Sequence, residues 1–140
     1  MKQQIYVAHA EDHKIYRDGI KMALKGIPDI VYLFEAENGL DLTRKLNDAE
    51  KLPDIILMDI RMPEIDGINL LPLVKIHYPS IKVIMLTMYD EREMVIKCMD
   101  LGADGFLTKT SPPEEIPYTI WRVYHGKKVF DLLERRNYIE

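Results

Sequence analysis

The sequence predicts an α/β domain in three layers, a doubly wound parallel sheet built from five successive βα units. Three observations carry this. Short apolar runs alternate with amphipathic segments five times along the chain. Several runs are apolar at consecutive positions, the pattern of parallel strands covered on both faces. Capping signals stand ahead of three of the amphipathic segments. The 140 residues fit one compact domain, and 47% hydrophobic residues supply a core of ordinary size.

Taken in order, the strand runs are Ile5–Ala8, Ile30–Phe34, Ile55–Met58, Val83–Leu86 and Gly105–Leu107. The first helix presents Ile15, Gly19, Ile20, Ala23 and Leu24 on one face, with Asp12 as its N-cap. The fourth presents Met94, Val95, Cys98 and Met99, preceded by Asp90 and Glu93 in capping-box spacing. The fifth presents Ile116, Ile120, Val123 and Tyr124, opened by Ser111, Pro112 and Glu114. Repeated βα units imply parallel strands with right-handed crossovers. Pro72 and Pro117 fall inside expected helices, where proline costs about 3 kcal/mol, so a late helix start or a local kink is expected at each. The domain is expected to span residues 1–127, with 128–140 beginning a linker or C-terminal tail. Glu134, Arg135 and Arg136 read as part of that solvated tail.

A net charge of −4 argues against a general nucleic-acid binder, which needs a basic face. The single cysteine, Cys98, forms no internal disulfide and is expected to be a buried small apolar residue. The segment 1–10 is too short and polar for a signal peptide, and no apolar run approaches the roughly 20 residues of a membrane helix. A cytoplasmic domain without a membrane partner is expected.

In open parallel sheets, ligands bind outside the carboxyl ends of the strands. Glu11 and Asp12 follow the first strand here, Asp59 ends the third, Thr87 the fourth and Lys109 the fifth. Three carboxylates, a hydroxyl and an ammonium thus gather on one rim. Clustered carboxylates repel, and a hard divalent cation such as Mg²⁺ relieves the repulsion. Aspartate is a nucleophile in aspartyl-phosphate chemistry, which depends mostly on positioning and charge stabilisation. In that chemistry Lys109 neutralises one phosphoryl oxygen and Thr87 donates to another. The histidines His9, His13, His77 and His125 show no metal-ligand spacing and read as structural, although His13 stands close enough to the acidic pair to support it.

The stretches VAHAEDH (Val7 to His13), LMDIRMPEIDG (Leu57 to Gly67), MLT (Met85 to Thr87) and GADGFLTK (Gly102 to Lys109) resemble the receiver domain of two-component response regulators. The resemblance covers about Gln4 to Lys127, and LMDIRMPEIDG is its most specific part. It implies a flavodoxin-like fold with strand order 2-1-3-4-5. It implies Asp59 as phosphoacceptor, with Mg²⁺ held by Asp12, Asp59 and the backbone carbonyl of Arg61, and with Glu11 acting through water. It implies Thr87 and Phe106 as a switch pair and Lys109 as the phosphate-holding cation, although burial of an aromatic ring at Phe106 needs no switch to explain it. The implied partners are a sensor histidine kinase and a second copy of the chain on phosphorylation.

Two departures from the family pattern stand out. Glu11 replaces the more common aspartate, and Thr110 rather than proline follows Lys109, so a trans bond is expected there. The segments LTMYDERE and LTKTSPPEE resemble receivers of the LuxR/NarL group, which usually carry a C-terminal helix-turn-helix. DNA is then reached only through an output domain absent from these 140 residues, and a stand-alone receiver acting through protein contacts is the alternative. As a receiver it is no enzyme beyond its own phosphotransfer and dephosphorylation. A haloacid-dehalogenase-like phosphatase needs an acid two positions after its nucleophile, where Arg61 stands. A flavodoxin-like carrier needs a phosphate cradle where Glu11 and Asp12 would repel the phosphate.

Overall fold

A computed structural model describes residues 3–88 and 91–130. Its elements run β1 (Ile5–Ala10), α1 (Lys14–Lys25), β2 (Ile30–Ala36), α2 (Gly39–Asp48), β3 (Ile55–Asp59) and α3 (Gly67–His77). They continue through β4 (Lys82–Thr87), α4 (Arg92–Asp100), β5 (Gly105–Thr108) and α5 (Glu115–Tyr124). The strands pair in parallel, in the order β2-β1-β3-β4-β5, which is the flavodoxin-like arrangement. All five expected strands are present, each one or two residues longer than its apolar run.

Successive strand residues point to opposite faces. Ile56, Met58, Val83, Met85 and Phe106 therefore enter one core with Leu42, Leu71 and Val95. Ile55, Leu57, Ile84, Leu86 and Leu107 enter the other with Leu24, Ile120 and Val123. Two covered faces are why these strands read as unbroken apolar runs.

Several local expectations are corrected. Asp12 does not cap α1; His13 occupies that position and makes no side-chain capping bond. Ile15 is 90% exposed, whereas Arg17, Ile20 and Leu24 are buried. At about 100° per residue, Ile15 lies roughly 140° around the helix from Ile20, outside its inward stripe. Met99 of α4 is also exposed. That helix begins after Glu91, which makes no side-chain capping bond, and Asp90 lies outside the described residues, as does Tyr89. Ser111 does not cap α5: its hydroxyl lies 3.1 Å from that of Thr108, and Glu114 holds the cap position.

The prolines resolve differently. Pro117 is the third residue of α5, where the missing N–H would have had no helical partner. Pro72 sits well inside α3, which starts early, at Gly67, so no late start absorbs it. It lacks the N–H that would bond to the Ile68 carbonyl.

Both α4 and α5 end in a glycine with positive φ, Gly102 at 102° and Gly126 at 95°. The amides of Gly126 and Lys127 bond to the carbonyls of Val123 and Arg122, closing a Schellman turn. The turn sends the chain back along β5. Val129 forms a parallel bridge with Gly105; its amide donates to Asp104, and its carbonyl accepts from Phe106. Val129 and Phe130 are buried, so residues 128–130 belong to the packed unit rather than opening a linker. The tail residues Glu134, Arg135 and Arg136 lie outside the described residues.

Candidate functional site

The strand register assembles the site. Val7 and Ile55 pair across β1 and β3, Asp59 and Leu86 across β3 and β4, and Thr87 and Thr108 across β4 and β5. The strands therefore end on one rim, where Asp59 is the last residue of β3 and Thr87 the last of β4. Lys109 follows β5 directly, and its amide donates to the Thr87 carbonyl at 2.7 Å. Glu11 follows β1, and its amide bonds to Ala36 of β2 at 2.9 Å.

The turn after β3 fixes the Asp59 backbone. Asp66 caps α3 by accepting from the Asn69 amide, and Gly67 donates to the Ile60 carbonyl at 2.7 Å. A Cβ at Gly67 would stand 2.3 Å from the Asp59 carbonyl oxygen, so only glycine lets the chain pass this closely. Glu64 adopts φ of 73° within the same turn.

Ligand atoms of Glu11, Asp12, His13 and Asp59 all lie within 4.8 Å of one another. Glu11 and Asp59 are buried, and Asp12 and His13 are exposed. The Lys109 ammonium reaches between them, 2.6 Å from Glu11 Oε1 and 3.3 Å from Asp59 Oδ2. The other Glu11 oxygen accepts from the His13 amide at 3.0 Å. Burial and the neighbouring Glu11 charge push the Asp59 carboxyl up to about 6, against the opposing pull of Lys109 and the Arg61 amide. Thr87 is buried beside this rim, and Phe106 is buried within the core on the Met85 side. The Lys109–Thr110 bond is trans; no cis bond occurs among the described residues.

Three residues here, Arg17, His9 and Tyr16, were not read from sequence as parts of the site. Arg17 of α1 is buried; it donates to the Glu11 backbone carbonyl at 2.6 Å and pairs with Glu35 at 3.0 Å. His13, for which the sequence also offered a supporting role at the acidic pair, has its Nδ1 3.3 Å from Glu11 Oε2, at the edge of the acidic cluster. His9 is fully buried beneath the site, 3.3 Å from the Tyr32 hydroxyl, and its Nε2 has no partner. Burial, with Lys109 and Arg17 nearby, pushes His9 down to about 3, so its ring is neutral. The ring of Tyr16 faces the Lys109 ammonium. Burial and the charges of Glu11 and Asp59 push that phenol up to about 12. Helical spacing put Tyr16 and Arg17 one turn beyond the acidic pair, but no motif marked them.

Fold and site together define a class: an α/β domain with a carboxylate pocket, crossed by a buried ammonium, at the carboxyl ends of its strands. The family model for the response regulator receiver domain matches residues 7–120, and the chain belongs to that family. It is similar to the response regulator protein VraR of Staphylococcus saprophyticus, with 35% identity over 136 residues, 95% of this chain and 64% of that protein. The chain thus spans just under two thirds of that relative. Among solved structures it resembles the isolated receiver domain of RcsB from Salmonella enterica serovar Typhimurium in the presence of the phosphomimetic BeF3⁻. The TM-score is 0.86 at 28% identity, covering 95% of this chain and 98% of that one. It also resembles a structure of two RcsB dimers bound to two parallel DNAs, with a TM-score of 0.85 at 28% identity over 94% of this chain and 69% of that one. No helix among the described residues is long and apolar enough to cross a membrane.

Proposed function

We propose that this receiver accepts a phosphoryl group on Asp59 from a sensor histidine kinase and passes the change to a surface that binds partners. The observation that carries the reading is the placement of Asp59. Its buried carboxylate lies 3.3 Å from Lys109 and within one cluster with Glu11 and Asp12. An Asp59 oxygen attacks phosphorus and forms the new P–O bond. The bond from phosphorus to the phosphohistidine nitrogen breaks, and that nitrogen keeps the electron pair. Lys109 balances charge on one phosphoryl oxygen, and Thr87 donates to another.

The donor set fits Mg²⁺: hard carboxylate oxygens are grouped closely, two of them from buried residues. Asp12, Asp59 and the Arg61 carbonyl would hold the ion, with Glu11, whose Oε1 stands 2.6 Å from the Lys109 ammonium, acting through water. When bound, the ion supplies positive charge to the carboxylates and to the phosphoryl oxygens.

Phe106 serves as the switch partner of Thr87, and the responding surface is α4-β5-α5, where Met99 and Tyr118 are exposed. Phosphorylation drives homodimerisation. In a longer protein the domain regulates transcription through a DNA-binding output domain, in the cytoplasm. Incubation with Mg²⁺ and a small acyl phosphate should add one phosphoryl mass to the wild type and none to Asp59→Asn. Equal labelling of both would move the acceptor elsewhere. Beryllofluoride should raise the sedimentation coefficient toward that of a dimer.

A further inference from the structure

We propose that Tyr16 is a positioning residue for Lys109, its ring face fixing the ammonium on the phosphoryl-accepting side of Asp59. The inference rests on the phosphoacceptor reading above and assigns a role that reading leaves open. The Lys109 side chain is only 6% exposed, and its Nζ stands 4.7 Å from the centroid of the Tyr16 ring. It also lies close to the carboxylates of Glu11 and Asp59. The ammonium is therefore held between two anions and one aromatic face.

A lysine stem has four rotatable bonds, and an ammonium is a point charge without the directional fork of arginine. Something must stop Lys109 from collapsing wholly onto Glu11, its nearer anion. A π face attracts a cation within about 6 Å, most strongly where water is excluded. It also accepts the charge without removing a donor from the phosphoryl oxygens, which a third carboxylate would do.

The Tyr16 ring is itself supported. The His9 ring meets it edge-on, with centroids 6.4 Å apart and planes at 65°. His9 likewise meets Tyr32, at 6.4 Å and 87°. Three rings from β1, α1 and β2 thus form a series of edge contacts that ends at the ring facing the lysine. The Tyr16 hydroxyl is not required by this geometry; the face is.

The test is the rate at which an acyl phosphate donor with Mg²⁺ labels Asp59, read by intact mass. Tyr16→Phe should stay within about twofold of wild type, and Tyr16→Leu should fall about tenfold. The loss should vanish when Tyr16→Leu is placed on a Lys109→Ala background. Because Tyr16→Leu also removes core packing, an isosteric series avoids a folding artefact. Phenylalanine bearing one, two and three ring fluorines at position 16 should slow labelling stepwise as the ring face loses charge. A flat series, or Tyr16→Phe as slow as Tyr16→Leu, would overturn the proposal while leaving Asp59 as acceptor. A wild type that takes no label would remove the phosphoacceptor reading and this one with it.

Discussion

Lys109 Nζ lies 2.6 Å from Glu11 Oε1, closer than the 3.3 Å that separates it from Asp59 Oδ2. The ammonium therefore serves the acidic loop after β1 as well as the acceptor. Replacing it by Lys109→Met leaves two buried carboxylates without their cation. Breaking a buried pair from one side costs on the order of 3–5 kcal/mol, so the variant should melt far below wild type in chelator at pH 7. Saturating Mg²⁺ should return about 3 kcal/mol of that if the ion occupies the same notch. Equal melting of the two proteins in chelator would show that Lys109 compensates neither carboxylate.

Asp59 gives stability a definite pH dependence. Its carboxyl is pushed up to about 6 in the fold from an ordinary 3.8, chiefly by burial and then by Glu11. The fold thus favours the protonated acid. That contribution is fully present below 3.8 and is lost as pH rises through about 6. In cation-free buffer at pH 7, Asp59→Asn should be the more stable protein by roughly 2–3 kcal/mol. The gap should close near pH 4 and shrink at pH 7 when Mg²⁺ is added. Thermal melts across that range decide it, and a gap independent of pH would contradict the assignment.

The fold was legible because each strand is covered on both sides. Ile55 through Met58 had to be apolar at every position, and such runs are difficult to mistake. Asp59, Asp12 and Lys109 were legible for a related reason: strand ends are fixed in sequence, so whatever follows them shares a rim. Tyr16 and Arg17 were not legible, because their arrival at Lys109 and Glu11 depends on how α1 leans across the sheet. The caps were misread for a local reason. Asp12 and Ser111 have the right chemistry, but the acidic cluster and the Thr108 hydroxyl lie beside them instead of a helix end. Val129 was missed because a single bridge has no periodicity to detect.

Gly67 and Gly19 separate close approach from mere helical tolerance. A methyl group at Gly67 meets the Asp59 carbonyl at 2.3 Å and the Ile60 Cα at 3.0 Å, both backbone. Gly67→Ala should cost about 3 kcal/mol and slow phosphorylation, because relief of the clash must move Asp59. Gly19 lies within α1, and a methyl group there would meet nothing within 4 Å. Gly19→Ala should instead stabilise by about 0.5–1 kcal/mol. Urea midpoints at unchanged m would establish both signs. A neutral Gly67→Ala would mean that the turn after β3 has slack which the packing does not show.

The return of the chain along β5 sets where the stable unit stops. Val129 and Phe130 are buried, and the carbonyl of Val129 accepts the Phe106 amide at 3.0 Å. Lys128 adds an ion pair to Asp104, but it is largely exposed and should matter little by itself. A chain ending at Lys127 loses both apolar side chains, each worth about 1.5–3 kcal/mol when fully buried. It should therefore be less stable than one ending at Phe130 by roughly 3–6 kcal/mol, the sum of those two burials. Lys128→Ala in the longer chain should change stability by under about 1 kcal/mol. The local signature is the Phe106 amide, which should exchange with solvent faster in the shorter chain, relative to the Leu107 amide in the same strand. Equal exchange at Phe106 in the two chains would mean that the bridge does not form in solution.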